Sequence, residues 1–297
     1  MSGIPSPSPD ASDPQPYAAM EPFDRRIFWR RIALDAGFGW GLLVAAVVVL
    51  AGGVLSSLDD QLPWNIALIA IAVAWLALNV RSGGVLRRLP ALAAQLERDP
   101  AGAESQIATM LDRKPLQRGV RLLLYHQLAT LRHKQQRFVE TAEICESVLK
   151  VLGERSRRRR EMMVHRVRIH LLLMLVDAQL SLHNFAGGQR ALGLLQQRNM
   201  DLGEQLQLMA LQTRYDIATG QDHRALGQVT ATISMSELMP APQCGNVHLL
   251  LSIAAQRQKQ VSLANWLNRR GELLCSPEQL DNFRESMLGM TADRHVE

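Results

Sequence analysis

The chain of 297 residues is poor in cysteine, in aromatic residues and in excess charge. Three cysteines, with no Cys-x-x-Cys pair among them, exclude a disulfide scaffold. Aromatic residues make up 5% of the chain and the net charge is +5, which does not favour a nucleic-acid partner. A hydrophobic content of 47% excludes a wholly disordered chain. The length allows one or two domains.

The sequence also lacks the common motifs of catalysis and cofactor binding. It has no Gly-x-x-x-x-Gly-Lys loop, no Gly-x-Ser-x-Gly elbow and no Gly-x-Gly-x-x-Gly after a strand. Gly83 and Gly84 are adjacent between the apolar runs described below and the first helix that follows them, which favours a hinge. We therefore expect no cofactor and no small-molecule substrate.

Histidines and cysteines do not form a predicted metal site. His165 and His170 are five residues apart, a poor spacing for one helix face, and the cysteines are widely separated. Glu161 and His165 are four residues apart and could act as a base and its orienting partner, but such pairs are common on helix surfaces. We expect no metal and no enzymatic activity, and an enzyme with an unrecognised site around these residues stays an alternative.

Two long uncharged runs are present near the N-terminus. After a Pro-rich tail, residues 36–58 form a run of 23 residues without a formal charge, and residues 61–80 form a second of 20. A helix of 23 residues is about 34 Å long, enough for a hydrocarbon core of roughly 30 Å. A cleaved signal peptide would have one shorter apolar segment, and buried core helices seldom stay uncharged for so long. The runs predict a transmembrane hairpin over 34–81.

Arginine residues orient this hairpin. They flank it on both outer sides, whereas the turn between the spans contains no Lys or Arg. By the positive-inside rule, both termini lie in the cytoplasm, which in a double-membrane cell means the inner membrane. Small residues suited to close helix packing occur in both spans: Gly37, Gly41, Ala70, Ala74 and Ala77.

Residues 82–290 are predicted to be helical. Leu, Ala, Gln, Glu and Arg dominate them, and strand-like clusters are nearly absent. Asp99 and Ser276 each stand before a proline, as N-caps before the first helical residue do. Apolar residues at steps of three and four predict two amphipathic helices joined around residues 134–138.

A local pattern recurs four times in this region. A polar break is followed by a small residue early in the next helix, in the pairs Phe138 with Ala142, Phe185 with Gly188, Asp222 with Ala225, and Val261 with Ala264. The steps between successive breaks are 47, 37 and 39 residues. The stretch Tyr215-Asp-Ile-Ala-Thr-Gly-Gln-Asp-His-Arg-Ala-Leu226 shows the pattern most clearly.

This pattern resembles the tetratricopeptide repeat (TPR) family, in which helix pairs of 34 residues stack into a solenoid. The resemblance implies right-handed stacked antiparallel helix pairs over 82–290. With the predicted membrane hairpin before them and tails at 1–33 and 291–297, we expect an all-α fold. An unrelated helical bundle is the alternative. In the family the first helix of each pair lines a concave groove, which here implies partner contacts by Gln207, Arg214, Asn246 and Gln256.

A basic run falls within the longest step. Its first five arginines are Arg155, Arg157, Arg158, Arg159 and Arg160, with Arg166 and Arg168 close behind. Solvated surface, anionic lipid headgroups and an acidic partner segment are the three interpretations that the sequence leaves open. We predict no nucleic-acid contact, because stacking aromatic residues are sparse nearby.

Taken together, these features predict a membrane-anchored scaffold. The cytoplasmic helical domain would bind a protein partner near the bilayer, since the chain combines an anchor with a domain lacking catalytic motifs. The alternative is a structural or accessory subunit of a larger membrane protein complex.

Overall fold

A computed structural model describes residues 61–112, 118–155, 162–281, 283 and 284, together with five isolated residues between 41 and 48. Every regular element in these ranges is a helix, which confirms the all-α prediction at this level. The chain divides into two compact units, 1–131 and 132–297.

Eleven helices are described. They are α1 (Gln61–Arg98), α2 (Pro100–Asp112), α3 (Arg118–Lys134), α4 (Phe138–Arg155), α5 (Met162–Ser181), α6 (Phe185–Gln196), α7 (Leu202–Ala218), α8 (Asp222–Gly227), α9 (Val229–Ser236), α10 (Ala241–Arg257) and α11 (Val261–Leu274). Residues 277–281 are also helical.

In the first unit, α1 and α2 form a helical hairpin. The second half of α1 buries a stripe at steps of three and four residues: Val85, Leu89, Leu92 and Leu96. Helix α2 begins at Pro100 as predicted, and Asp99 caps it by accepting a hydrogen bond from the backbone N–H of Gly102 at 3.0 Å. Ile107 of α2 is fully buried.

The hinge predicted at Gly83 and Gly84 is wrong. Both residues lie inside α1, which continues unbroken for 38 residues. Glycine disfavours a helix by about 1 kcal/mol relative to alanine, but strong helix formers such as Leu, Ala and Arg surround this pair. Their helical propensity and the packing of the second half of α1 keep the helix continuous.

The predicted membrane spans are only partly described. Residues 36–58 lie outside the described residues except Gly41, Val44, Ala45, Val47 and Val48, which are helical. Residues 61–80 form the first half of α1, where some side chains are not described. Among the described residues, no helix combines the length and the apolar character needed to cross a bilayer.

In the second unit, four helix-to-helix turns share one conformation. Gln136, His183, Gly220 and Lys259 have φ angles of 57°, 56°, 78° and 58°. Each stands two residues before the helices α4, α6, α8 and α11 respectively. Left-handed backbone suits glycine, yet three of the four residues carry a side chain.

Each turn is closed by the same two hydrogen bonds. At the first turn, the N–H of Gln136 donates to His133 O at 3.0 Å and that of Arg137 donates to Arg132 O at 2.9 Å. The same pair closes the turns at His183, Gly220 and Lys259. This is the Schellman arrangement, which satisfies the last carbonyls of the preceding helix.

A helix begins directly after each of the four predicted breaks, and the small residues that follow are buried. They are Ala142, Gly188, Ala225 and Ala264. In the third helix pair, the second helix is divided at Gln228 into α8 and α9. The sequence pattern did not predict this division. A close contact was also missed: a Cβ on Gly245 or Gly271 would lie 3.1 Å from the carbonyl oxygen of the other.

The first helices of successive pairs pack against one another. Helix α5 contacts α4, α6 and α7, and α10 contacts α7, α8 and α11. Helices α5, α7 and α10 therefore stand side by side in chain order. One core cluster of this unit is formed mainly by α7, α10 and α11, with Ile217, Leu251 and Leu267 fully buried. Helices α4, α5 and α6 bury a further set of apolar side chains.

Candidate functional site

A cavity of about 760 Å³ opens along the first helices of the second unit. We call it the groove. Its apolar surface includes Leu173, Ala210, Leu211, Met239, Val247 and Leu250. Five amide side chains also line it, namely Gln136, Gln207, Gln243, Asn246 and Gln279. Phe283, at the end of the described chain, lies at the groove as well.

The groove is built from equivalent positions of neighbouring helix pairs. Counted back from the left-handed turn residue of each pair, Asp177 and Arg214 are at position six, and Gln207 and Asn246 at position thirteen. The apolar residues are Met174, Leu211 and Leu250 at position nine, and Leu173 and Ala210 at position ten. Because positions three and four residues apart share a helix face, one face of α5, α7 and α10 forms the wall.

Three of the four predicted partner-binding residues line the groove. They are Gln207, Arg214 and Asn246. Gln256 does not, and it is exposed near the end of α10. It follows Asn246 by ten residues, which at about 100° per residue turns its side chain about 80° away from that of Asn246. Gln256 therefore lies on a different face of α10 from Asn246.

An ion network joins three first helices at one end of the groove. His133 Nε2 lies 2.8 Å from Asp177 Oδ2, and Arg214 Nη1 donates to Asp177 Oδ1. Arg214 also donates to Ser181 Oγ at 3.2 Å. Burial raises the pKa of the Asp177 carboxyl, but the His133 hydrogen bond and the Arg214 charge outweigh it, so the net pKa is below 3.8. The contacts with His133 and with the Arg214 guanidinium therefore favour the ionised form of Asp177.

Sequence reasoning missed His133 and Asp177. A signal for Asp177 was present, because it precedes Arg214 by 37 residues, the same step that separates the breaks at Phe185 and Asp222. An Asp and an Arg at the same repeat position in neighbouring pairs predict a contact between pairs. His133 carries no comparable signal, because it lies at the first turn itself.

The amide groups of the groove are largely unused within the chain. The side chains of Gln136, Gln207 and Gln243 form no hydrogen bond among the described residues, and all three are exposed. Asn246 Oδ1 has only a weak contact with Cys275 Sγ at 3.8 Å, and Gln279 Oε1 accepts from the Ser276 N–H at 2.9 Å. The groove therefore presents free donors and acceptors beside an apolar surface.

A second, smaller cavity of about 280 Å³ lies on the other side of α7. Two of its lining amides are bonded within the chain: Gln205 donates to Met200 O, and Gln212 donates to Asp216 Oδ1, each at 2.9 Å. Asp216 is buried, and this burial raises its pKa above 3.8 despite the hydrogen bond from Gln212. Its other two amide side chains, those of Gln196 and Gln228, are exposed and form no hydrogen bond among the described residues.

The residues of the predicted catalytic alternative are not brought together at the groove. His165 Nε2 lies 2.9 Å from Asn199 O, and His170 Nε2 lies 3.9 Å from Glu204 Oε1 with about half of its side chain exposed. Glu161 lies outside the described residues. Within the described ranges, no three potential metal ligands cluster.

The three cysteines are free and buried. Cys244 Sγ lies 3.6 Å from His248 Nδ1, but His248 is fully buried, and this burial lowers its pKa. Burial also raises the pKa of the Cys145 thiol. Neither thiol is placed where a substrate from solvent could reach it.

The remaining predicted residues lie largely outside the described part. Arg155 is the last residue of α4, and residues 157–160 lie outside the described residues. Gly37 lies outside the described residues, and the side chain of Ala74 is not described. Ala70 and Ala77 are exposed on α1. A Cβ on Gly41 would have no described atom within 4 Å.

Comparisons of this chain with family models, with curated proteins and with solved structures found no match.

Proposed function

We propose that this protein is a membrane-anchored, TPR-like scaffold whose groove binds a segment of a partner protein close to the bilayer. The observation that carries the proposal is the repetition of lining positions on α5, α7 and α10. In solenoid proteins, such repetition produces one extended binding surface. The four turns of equal geometry support a repeat architecture for this unit.

Membrane anchorage is supported by an exposed apolar face on the first half of α1. Five large apolar side chains recur there at steps of three and four residues, and each is 58–68% exposed: Ile66, Ile69, Val73, Leu76 and Val80. Exposing so large an apolar face to water costs free energy. Contact with lipid or with another helix would remove this cost. The flanking arginines favour a cytoplasmic position for the groove.

A substitution that fills the groove tests the partner-binding function. Ala210 lines the groove, so we expect Ala210→Trp to fill it and to reduce co-purification of the partner from native membranes at least tenfold. Gln205→Trp is the matched control, because Gln205 lies on the same helix but lines the second cavity. Quantitative mass spectrometry of proteins cross-linked in the membrane provides the measurement.

Equal recovery of every cross-linked protein with both variants would contradict the proposed function. Circular dichroism of the purified variants checks that each remains helical. A loss of partner with Gln205→Trp alone would place the binding surface on the other side of α7.

The apolar face of α1 also favours a second candidate, a subunit of a larger membrane complex. In that case the exposed side chains of α1 would pack against spans of other proteins. Native sizing after mild detergent extraction separates the two functions: a fixed large assembly favours the subunit, and a monomer or dimer favours the scaffold.

A further inference from the structure

We infer that the groove takes an extended peptide segment without formal charge, held through its backbone by the groove amides and through aliphatic side chains by the apolar wall. This inference rests on the proposed function and specifies the chemistry of the partner. It depends on the charge balance of the groove, on its unused amides and on the spacing of equivalent residues.

The charged groups of the groove are already paired. Among the lining residues, Asp177 is the carboxylate, and it bonds both His133 and Arg214. A carboxylate from a partner would have to compete with Asp177 for Arg214 and would stand beside an anion. A partner lysine would be repelled by the charge of Arg214 and would find no unpaired carboxylate among the lining residues. Since buried charges without a partner are strongly disfavoured, both kinds of charged segment fit poorly.

The unused amides suit an exposed backbone. A carboxamide offers donors and an acceptor, so it can bond both the N–H and the C=O of a peptide unit. A partner helix satisfies its backbone internally, which would leave Gln136, Gln207 and Gln243 bonded only to water. An extended segment presents these groups to the groove, as in main-chain recognition of added strands.

The repeat supplies the spacing. Gln207 and Asn246 hold equivalent positions on α7 and α10, which pack directly against each other. Packed helices are about 8–10 Å apart, and an extended chain rises about 3.3 Å per residue. Amides on neighbouring first helices therefore meet about every third residue of the segment.

An array of synthetic peptides tests this chemistry. The full chain in lipid nanodiscs is applied to end-capped peptides of 12 residues built from Leu, Met, Ala, Ser, Thr and Asn, and to matched sets with one central Asp or Lys. We expect the uncharged set to bind at least tenfold more tightly than either charged set. Ala210→Trp, measured in parallel, identifies binding that occurs outside the groove.

Backbone recognition is tested on the peptides that bind. Replacing their alanines by α-aminoisobutyric acid, which favours a helix, should weaken binding, and so should methylation of alternate backbone nitrogens. Gln207→Ala and Asn246→Ala should each weaken binding about three- to tenfold, the loss of one hydrogen bond. Gln256→Ala, on α10 but outside the groove, should leave binding unchanged.

Three results would overturn the inference: preference for charged peptides, tighter binding of the helix-favouring peptides, or absence of groove-dependent binding throughout the array. The proposed function fails separately, because it requires that Ala210→Trp reduce partner recovery from membranes. If that recovery falls while the array shows no groove-dependent binding, the scaffold function stands and the partner chemistry assigned here is wrong.

Discussion

The two sides of α7 border cavities of different character. On one side, Gln207 and Arg214 line the groove, where several amides have no partner within the described chain. On the other side, Gln212 and Asp216 line the smaller cavity and bond each other. Both cavities contain polar side chains, so polarity alone does not distinguish a binding surface from a packing gap.

The environment of the lining carboxyl group does distinguish them. In the smaller cavity, Asp216 accepts a hydrogen bond from the neutral Gln212 side chain, and burial raises its pKa. In the groove, the Asp177 carboxylate bonds His133 and the Arg214 guanidinium, and its pKa is lowered. The environment of Asp177 lowers its pKa and favours the ionised form, whereas that of Asp216 raises its pKa and favours the neutral form. Substitutions of the two residues should therefore change the free energy of unfolding in opposite directions.

Substituting Asp177 should have the larger effect on stability. In Asp177→Asn, the amide replaces an anion that bonds His133 and Arg214, and we expect a loss of about 1–2 kcal/mol at pH 7 after allowance for partial exposure. Urea unfolding of the full chain in detergent, followed by circular dichroism, measures it.

The pH dependence sharpens this prediction. Because the folded pKa of Asp177 is lowered, its contribution is present above the unfolded value of 3.8 and is lost as the pH falls through the folded value. The stability difference between the wild type and Asp177→Asn should therefore shrink below pH 3.8. A difference that is absent at pH 7, or that grows on acidification, would show that the ion network does not stabilise the groove.

Substituting Asp216 should have a smaller effect of opposite sign. Its pKa is raised by burial, so ionisation at pH 7 opposes folding, and this cost disappears as the pH falls through the folded value. We expect Asp216→Asn to be as stable as the wild type at pH 7 or more stable by up to about 1 kcal/mol, since Asn can still accept from Gln212. The same urea experiment measures it.

A loss above about 1 kcal/mol for Asp216→Asn would contradict the contrast between the two sides of α7. It would mean that the contact with Arg224, at 4.0 Å, outweighs burial. That contact involves a side chain that is 58% exposed, and such pairs contribute little.

The sequence predicted the helix boundaries better than the contacts between helices. Asp99, Ser276 and the breaks before Phe138 and Phe185 mark helix starts through local chemistry, namely capping groups and polar interruptions. The left-handed turns were predicted only as breaks, because Gln136, His183 and Lys259 carry none of the glycine signal that Gly220 provides.

Contacts between distant residues were harder to predict. The repeat pattern pointed to Gln207, Arg214 and Asn246, which line one groove. It also pointed to Gln256, which lies on a different face of α10. The approach of Gly245 to Gly271 and the bond from Asp177 to His133 join residues more than 25 positions apart. Neither position carries a local pattern that identifies its partner.

A photo-cross-linking side chain placed at Gln207 or at Gln205 tests the central claim most directly. The two residues are exposed, two positions apart on α7, and line different cavities. In native membranes, we predict a cross-linked partner from position 207 at a yield at least fivefold above that from position 205. Equal yields from both positions, or a partner captured only from position 205, would contradict the assignment of the groove as the binding surface.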